Sequence, residues 1–202
     1  MAARIERATP DADCFNHEAE LPYELRLADF ELAMQDIYDL LSDINTALMT
    51  RGLMRLEEIV RPAIFSGILS DALTASVARH SRVLTENQYH NGHPDLIPKG
   101  RYANDRVAAG EDGVEVKATK GKGAVDTHGA RDSWIVIFRY RVDGETEPVM
   151  ERLPTRITEV LLANLTKDDF RKNPRGELGT KTASPNRQGL VKLRGNWVYR
   201  EA

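Results

Sequence analysis

The spacing of hydrophobic residues predicts helices in the first half of the chain. Apolar side chains recur at intervals of three and four from residue 30 to 48, the pattern of an amphipathic helix (Phe30, Met34, Ile37, Leu41, Ile44 and Leu48). Asp29 is its expected N-cap and Gly52 its expected stop. A second helical stretch covers 53–65, where Pro62 either kinks the helix or starts a new turn. Ser70-Asp71 predicts the start of a third helix, with Leu73, Val77 and Val83 on its buried side.

The pattern changes to strands after the Asn91-Gly92 turn signal. Leu96-Ile97 forms a short apolar pair, residues 114–118 alternate, and the apolar run 134–142 predicts the strongest strand of the chain. Asp143-Gly144 predicts a hairpin turn with 148–153 as the returning strand. A helix is expected over 157–165 with Thr155 as its cap, and a last short strand over 197–199. The order predicts an α/β or mixed α+β fold, with an N-terminal helical region (1–88) and a core with a basic C-terminal tail (89–202).

Composition and charge narrow the class of protein. The 202 residues are 41% hydrophobic, without an apolar run long enough to span a membrane, and Cys14 is the only cysteine. We therefore expect a cytoplasmic protein without membrane attachment. Residues 1–88 hold 8 arginines and no lysine against 15 acidic residues, a net charge of −7, whereas the remainder carries +4. The basic half favours an anionic partner, although a solvated basic tail explains the same charge.

A carboxylate and an ammonium share one face of a predicted strand. Glu115 and Lys117 point to the same side of the stretch 114–118, while its valines and alanine take the other side. A solvated surface pair is the simplest explanation. Asp95, beside the apolar pair 96–97, adds a second carboxylate if the two stretches are neighbouring strands. Two converging carboxylates suit Mg²⁺, and a lysine beside them can position an attacking water or offset charge on a phosphoryl group.

Pro94-Asp95 followed by Glu115-Val116-Lys117 resembles the PD-(D/E)XK nucleases, the restriction-endonuclease-like superfamily. The resemblance implies a central mixed sheet flanked by helices. It also implies Mg²⁺, which Mn²⁺ could replace, bound by Asp95, Glu115 and the carbonyl of Val116, with Lys117 activating water. Many members add an upstream glutamate, for which the candidates are Glu57, Glu58 and Glu86, with Glu58 preferred. The loop-like interval 121–132 departs from the many members that place a helix there.

Basic residues around the motif are candidates for contacts to nucleic acid (Lys120, Lys122, Arg131, Arg139 and Arg141). Lys120 to Gly123 equally fits a flexible basic turn, and Arg131 equally fits a local pair with Asp132. His93 lies two residues before Asp95, where a role in the site is one interpretation, but an imidazole that caps a turn is the preferred one.

These residues predict a Mg²⁺-dependent endonuclease acting on double-stranded DNA as a homodimer, with a type II restriction endonuclease as one form of it. The alternative is a non-catalytic nucleic-acid-binding or assembly subunit that keeps the nuclease fold. A third interpretation is a protein-interaction module that uses the acidic helices, and it leaves Glu115 and Lys117 without a purpose.

Overall fold

Three helices open the chain in the computed structural model, which describes residues 5–121, 125–127, 129–173 and 182–201. They are α1 (Leu27–Thr50), α2 (Leu56–Ile59) and α3 (Pro62–His80). The predicted stripe of α1 is buried at Phe30, Met34, Ile37 and Leu41. Gly52 follows the helix at φ +73°, a conformation that glycine adopts without strain, so the predicted stop is confirmed.

Two predicted helix starts are wrong. Asp29 lies one turn inside α1, where its carboxylate accepts a hydrogen bond from the backbone N–H of Arg26 at 2.9 Å. Ser70 and Asp71 lie in the middle of α3, which begins at Pro62. The Ser70 hydroxyl accepts from the backbone N–H of Ala118 at 2.8 Å, so its polar group serves the neighbouring sheet and not a helix end.

A six-stranded sheet packs against α1 and α3. Its strands are β1 (Leu84–Glu86), β2 (Leu96–Pro98), β3 (Val114–Lys120), β4 (Ser133–Arg141), β5 (Arg156–Leu165) and β8 (Trp197–Arg200), in the order β1-β2-β3-β4-β5-β8. β3 and β4 run parallel, and the other neighbouring pairs are antiparallel. β6 (Phe170–Lys172) and β7 (Ala183–Pro185) form a separate pair before helix α4 (Arg187–Gly195). The fold is therefore mixed α+β with a mostly antiparallel sheet flanked by helices.

The predicted helix over 157–165 is wrong, because this segment is β5. Its apolar run pairs with β4 on one side and with β8 on the other, and both of its faces are buried. A strand buried on both faces lacks polar alternation, so its hydrophobic pattern resembles that of a buried helix. The hairpin partner of β4 was expected to be a strand over 148–153. That segment instead contains a 3-10 turn (Val149–Glu151) in the connection between β4 and β5.

The two faces of the sheet carry different chemistry. On the helix face, α1 and α3 cover an apolar layer that includes Val114, Val116, Phe138 and Val160. This layer joins residues on both sides of the predicted division at residue 88. The opposite face, here called the α4 face, has a smaller apolar cluster in which Leu193 of α4 packs with Ile135, Ile137 and Leu161. Since side chains alternate along a strand, Glu115, Lys117 and Arg139 belong to the α4 face.

A buried arginine holds the connection between β4 and β5 against the helices. Arg55 is 2% exposed and donates to the carbonyls of Arg152 at 2.6 Å and Leu153 at 3.0 Å. We expect Arg55→Ala to lower the free energy of unfolding by about 3 kcal/mol, because two charge-assisted hydrogen bonds are lost inside the protein. Urea unfolding measures this change. Arg51→Ala, at an exposed position nearby, is the matched control and should change the free energy by less than about 0.5 kcal/mol; equal effects of the two substitutions would contradict this role.

Candidate active site

The site lies where β2 and β3 separate. The two strands share a single register pair, Leu96 with Val114. Beyond this pair, side chains and not β2 accept the hydrogen bonds from this edge of β3. The carboxylate of Asp95 accepts from the N–H of Val116 at 2.8 Å, and the Ser70 hydroxyl accepts from the N–H of Ala118, two residues further on. The opening between the strands therefore presents Asp95 next to the backbone of Val116.

Gly113 allows β3 to start this close to β2. Its φ is +140°, and a Cβ atom at this position would lie 2.0 Å from the carbonyl oxygen of Leu96 and 2.6 Å from the ring of Pro94. Any side chain would therefore push the two strands apart. The close approach keeps Asp95 within hydrogen-bonding distance of β3.

Asp95, Glu115 and Lys117, which the sequence singled out, lie together. The Lys117 ammonium is 2.6 Å from Glu115 Oε1 and 3.8 Å from Asp95 Oδ2. The second oxygen of Glu115 is 2.6 Å from Nδ1 of His93. The Glu115 side chain is only 6% exposed, so its charge depends on these two partners and not on water.

The carboxylates of Asp95 and Glu115 have very different pKa values. Burial raises the pKa of Asp95, and the nearby charge of Glu115 raises it further, to about 6. Burial would raise the pKa of Glu115 as well, but the hydrogen bond from His93 and the charge of Lys117 outweigh it and lower that pKa to about 2. Burial lowers the pKa of Lys117, yet Glu115 and Asp95 together raise it above its ordinary value. At neutral pH the site holds two carboxylates and one ammonium.

A cavity of about 500 Å³ opens onto these groups. It is bounded by α3, the β2–β3 opening and the crossover that leads into β4 (among others Asp71, His93, Asp95, Glu115, Lys117 and Arg131). The described part of this crossover contains no helix, as the sequence predicted. The volume of the cavity falls within the range of about 300–1,000 Å³ that is typical of small-molecule sites.

The structure places the other predicted residues at three locations. Arg131 lines the site cavity, whereas Lys120, Arg139 and Arg141 line a second cavity farther along the sheet. Lys122 lies outside the described residues.

The preferred upstream glutamate is not at the site, which corrects that prediction. Glu58 forms an ion pair with Arg152 and accepts from the N–H of Arg55 at 3.2 Å, so the start of α2 uses its carboxylate. Glu57 bonds to Asn45 and Thr155. Glu86, on β1, lines a smaller cavity of about 360 Å³, which shares Asp71 and Asp95 with the site cavity.

Two further residues belong to the site. His93 contacts Glu115, so the site role that its position two residues before Asp95 had suggested describes it better than the preferred turn-capping role. Asp71 reaches the cavity from α3, and its charge contributes to the raised pKa of Lys117. No sequence signal identifies Asp71, because its place depends on how α3 packs against β3.

The donor set fits a hard divalent cation. Within the described residues, no group of three His, Cys, Asp or Glu side chains is arranged to hold a metal. Mg²⁺, however, needs one or two carboxylates and takes its other ligands from water, carbonyls and phosphates. Asp95 and Glu115 supply the carboxylates. The carbonyl of Val116 points to the same side of β3 as its N–H, towards Asp95. Burial, and after it the charge of Glu115, raises the pKa of Asp95, and a cation bound there would favour the ionised carboxylate.

No family model, curated protein or solved structure matches this chain. Among the described residues, none of the helices has the length and apolar character needed to cross a membrane.

Proposed function

We propose that this protein is a Mg²⁺-dependent endonuclease that hydrolyses phosphodiester bonds in DNA, with a restriction-endonuclease-like core. The observation that carries the proposal is the contact network of Asp95, Glu115 and Lys117 inside a cavity at the separation of two strands. The antiparallel strands β1 to β3, followed by a parallel β4 with α3 alongside, support the same family of folds. An ordinary surface pair does not account for a glutamate that is 6% exposed.

Each side chain has a defined task in this proposal. Asp95, Glu115 and the Val116 carbonyl would hold Mg²⁺, which supplies Lewis-acid polarisation of the phosphate and of a bound water. His93 fixes the orientation of Glu115 through its 2.6 Å contact. Lys117 is an ammonium at neutral pH, so it can orient the attacking water and offset the charge that develops on the phosphate. Arg131, on the wall of the cavity, can bind a non-bridging phosphate oxygen.

Double-stranded DNA as the substrate and a homodimer as the active form belong to this proposal. Support comes from the basic residues that accompany the site and from the excess of arginine and lysine after residue 170, eight against two acidic residues. A two-fold dimer would match the symmetry of a duplex cut on both strands.

The proposal is tested by incubating the protein with plasmid, linear duplex, single-stranded DNA and RNA, each in Mg²⁺, in Mn²⁺ and in EDTA. We expect the plasmid and the linear duplex to be cleaved in Mg²⁺ or Mn²⁺ and to stay intact in EDTA. Binding of duplex without cleavage in any metal would contradict the enzyme and favour the non-catalytic subunit. Preferential cleavage of RNA would contradict the substrate class alone.

The pH dependence of cleavage should follow Asp95. Because its pKa is about 6, its protonated form predominates below that pH and cannot hold the metal. At subsaturating Mg²⁺ we expect the single-turnover rate to rise about tenfold per pH unit up to pH 6 and to level off above pH 7. Glu115, with a pKa of about 2, stays ionised throughout this range. A rate that keeps rising to pH 9 would instead indicate simple dependence on hydroxide and contradict the role of Asp95.

A further inference from the structure

A second and larger cavity lies on the same α4 face of the sheet. It has a volume of about 800 Å³ and lies at the C-terminal ends of β3 and β4, farther along the sheet than the candidate active site. Its wall combines the ends of β3, β4, β5 and β8 with α4, and five basic residues line it against two acidic ones (Lys120, Arg139, Arg141, Arg194 and Arg200 against Glu159 and Glu201).

Two arginines of this cavity are held in place by one carboxylate. Arg139 Nη1 is 2.6 Å from one oxygen of Glu159, and Arg200 Nε is 2.8 Å from the other. The guanidinium of Arg200 also lies over the ring of Trp197 at 5.1 Å. Each arginine uses only part of its donors in this way, and both are fixed before any ligand arrives.

One hydrogen-bond donor of Arg139 is buried without an acceptor among the described residues. Its side chain is 7% exposed, and its buried Nε has no partner within the described residues. Burying a charged donor without an acceptor costs free energy, so such a group in a cavity points to an anionic acceptor that binds there.

The rim of the cavity adds uncompensated charge. Glu201 pairs with Arg156, and Glu159 is shared by Arg139 and Arg200. Among the ion pairs of the described residues, none involves Lys120, Arg141 or Arg194, so the cavity carries a positive surplus. A surplus of positive charge around a buried arginine that still has a free N–H donor is typical of a phosphate site. In such a site, planar guanidinium groups bind two phosphate oxygens at once.

We infer that the cavity around Arg139 and Arg200 binds a backbone phosphate of the nucleic acid, flanking the phosphate that is cut. The identity of the ligand rests on the proposed function. Arg139 is opposite Thr119, two residues beyond Lys117, so its Cα lies ~8 Å from that of Lys117 along and across the sheet. Val125, which lies between β3 and β4 in the chain, packs on the sheet with Ile135 and Ile137. Ile135 lines the active-site cavity, and Ile137 precedes Arg139 by two residues on β4. The bound strand would therefore pass over Val125, with one phosphate on each side of it.

The test measures binding of a 20-base-pair duplex as a function of salt, in EDTA, so that cleavage plays no part. The double variant Lys120→Ala/Arg194→Ala removes two exposed rim charges and leaves the core intact; Arg187→Ala, exposed on the same helix but outside the cavity, is the control. We expect the double variant to bind 10-fold or more weakly at 100 mM salt. The slope of its log K against log salt should be smaller in magnitude by about 1 than that of the natural protein. The control should keep the natural affinity and the natural slope.

Trp197 provides a local signal for the same event. In a Trp134→Phe background it is the only tryptophan, and it lies under Arg200, so duplex binding should change its emission. An unchanged salt slope in the double variant, or unchanged Trp197 emission at saturating duplex, would overturn the inference. Failure of the nuclease proposal has a different signature. The salt slope and the Trp197 emission would change as expected, but the DNA would stay intact in Mg²⁺.

Discussion

Glu115→Gln is expected to lower the rate of the proposed Mg²⁺-dependent cleavage by a factor of about 10³, the effect of removing one charged group that acts on the transition state. The substitution keeps the shape of the side chain and its place beside Lys117 and His93, but it removes the negative charge that would hold the metal in the proposed site. Single-turnover kinetics at saturating DNA measure the change. Glu111→Gln, at an exposed position just before β3, is the control and should cleave at the normal rate. Undiminished cleavage by Glu115→Gln would exclude Glu115 from the reaction.

Lys117→Met separates metal binding from chemistry. If Lys117 acts on the water and the phosphate, its loss reduces the cleavage rate by a similar factor, while Asp95 and Glu115 still bind the metal. If it serves only to neutralise Glu115, raising the Mg²⁺ concentration should restore most of the rate. The proposed role therefore requires that saturating metal fails to rescue Lys117→Met.

Asp95→Asn should abolish cleavage and yet stabilise the protein, by on the order of 2 kcal/mol at pH 7.5. The folded protein raises the pKa of Asp95 from 3.8 to about 6, so the ionised carboxylate opposes folding above pH 6 and has no such effect below pH 4. Asparagine is neutral at every pH and keeps an oxygen that can accept from Val116. The gain in stability should thus be complete near pH 7 and disappear as the pH falls towards 4.

Urea unfolding at several pH values measures this gain, with Asp168→Asn as an exposed control that should change little. Added Mg²⁺ should stabilise the natural protein more than Asp95→Asn, because in the proposed site the metal would bind the folded protein through that carboxylate. If Asp95→Asn were less stable than the natural protein at pH 7.5, the ionised Asp95 carboxylate would not lower the free energy of unfolding in the absence of metal, and the proposed electrostatics of the site would be contradicted.

The alternation along 114–118 is sufficient by itself to place Glu115 and Lys117 on one face of a strand, and the apolar run after them was correctly predicted as a strand. Local patterns suffice there because each strand has a clear apolar face. They fail at β5, where burial on both sides removes the alternation. They also missed α4, since its short basic sequence buries only Gly189 and Leu193.

The rest of the candidate site depends on contacts between distant segments. Asp71 is 46 residues from Lys117, so nothing local indicates that they meet. His93 and Glu115 are 22 residues apart, and only the nearness of His93 to Asp95 in the sequence suggested a place in the site. The choice of Glu58 failed for the same reason. Its partner, Arg152, belongs to a connection on the far side of β4, and only the packing of α2 against that connection brings them together.

The most direct measurement is an anomalous diffraction map from crystals of the natural protein soaked in Mn²⁺. The account predicts a peak at about 2.1 Å from one oxygen each of Asp95 and Glu115, with the Lys117 ammonium displaced from its present contact with Glu115. The same peak should be missing from crystals of Asp95→Asn. A map without density between these two carboxylates, or with manganese bound only elsewhere, would contradict the assignment of this site as a metal-dependent nuclease centre.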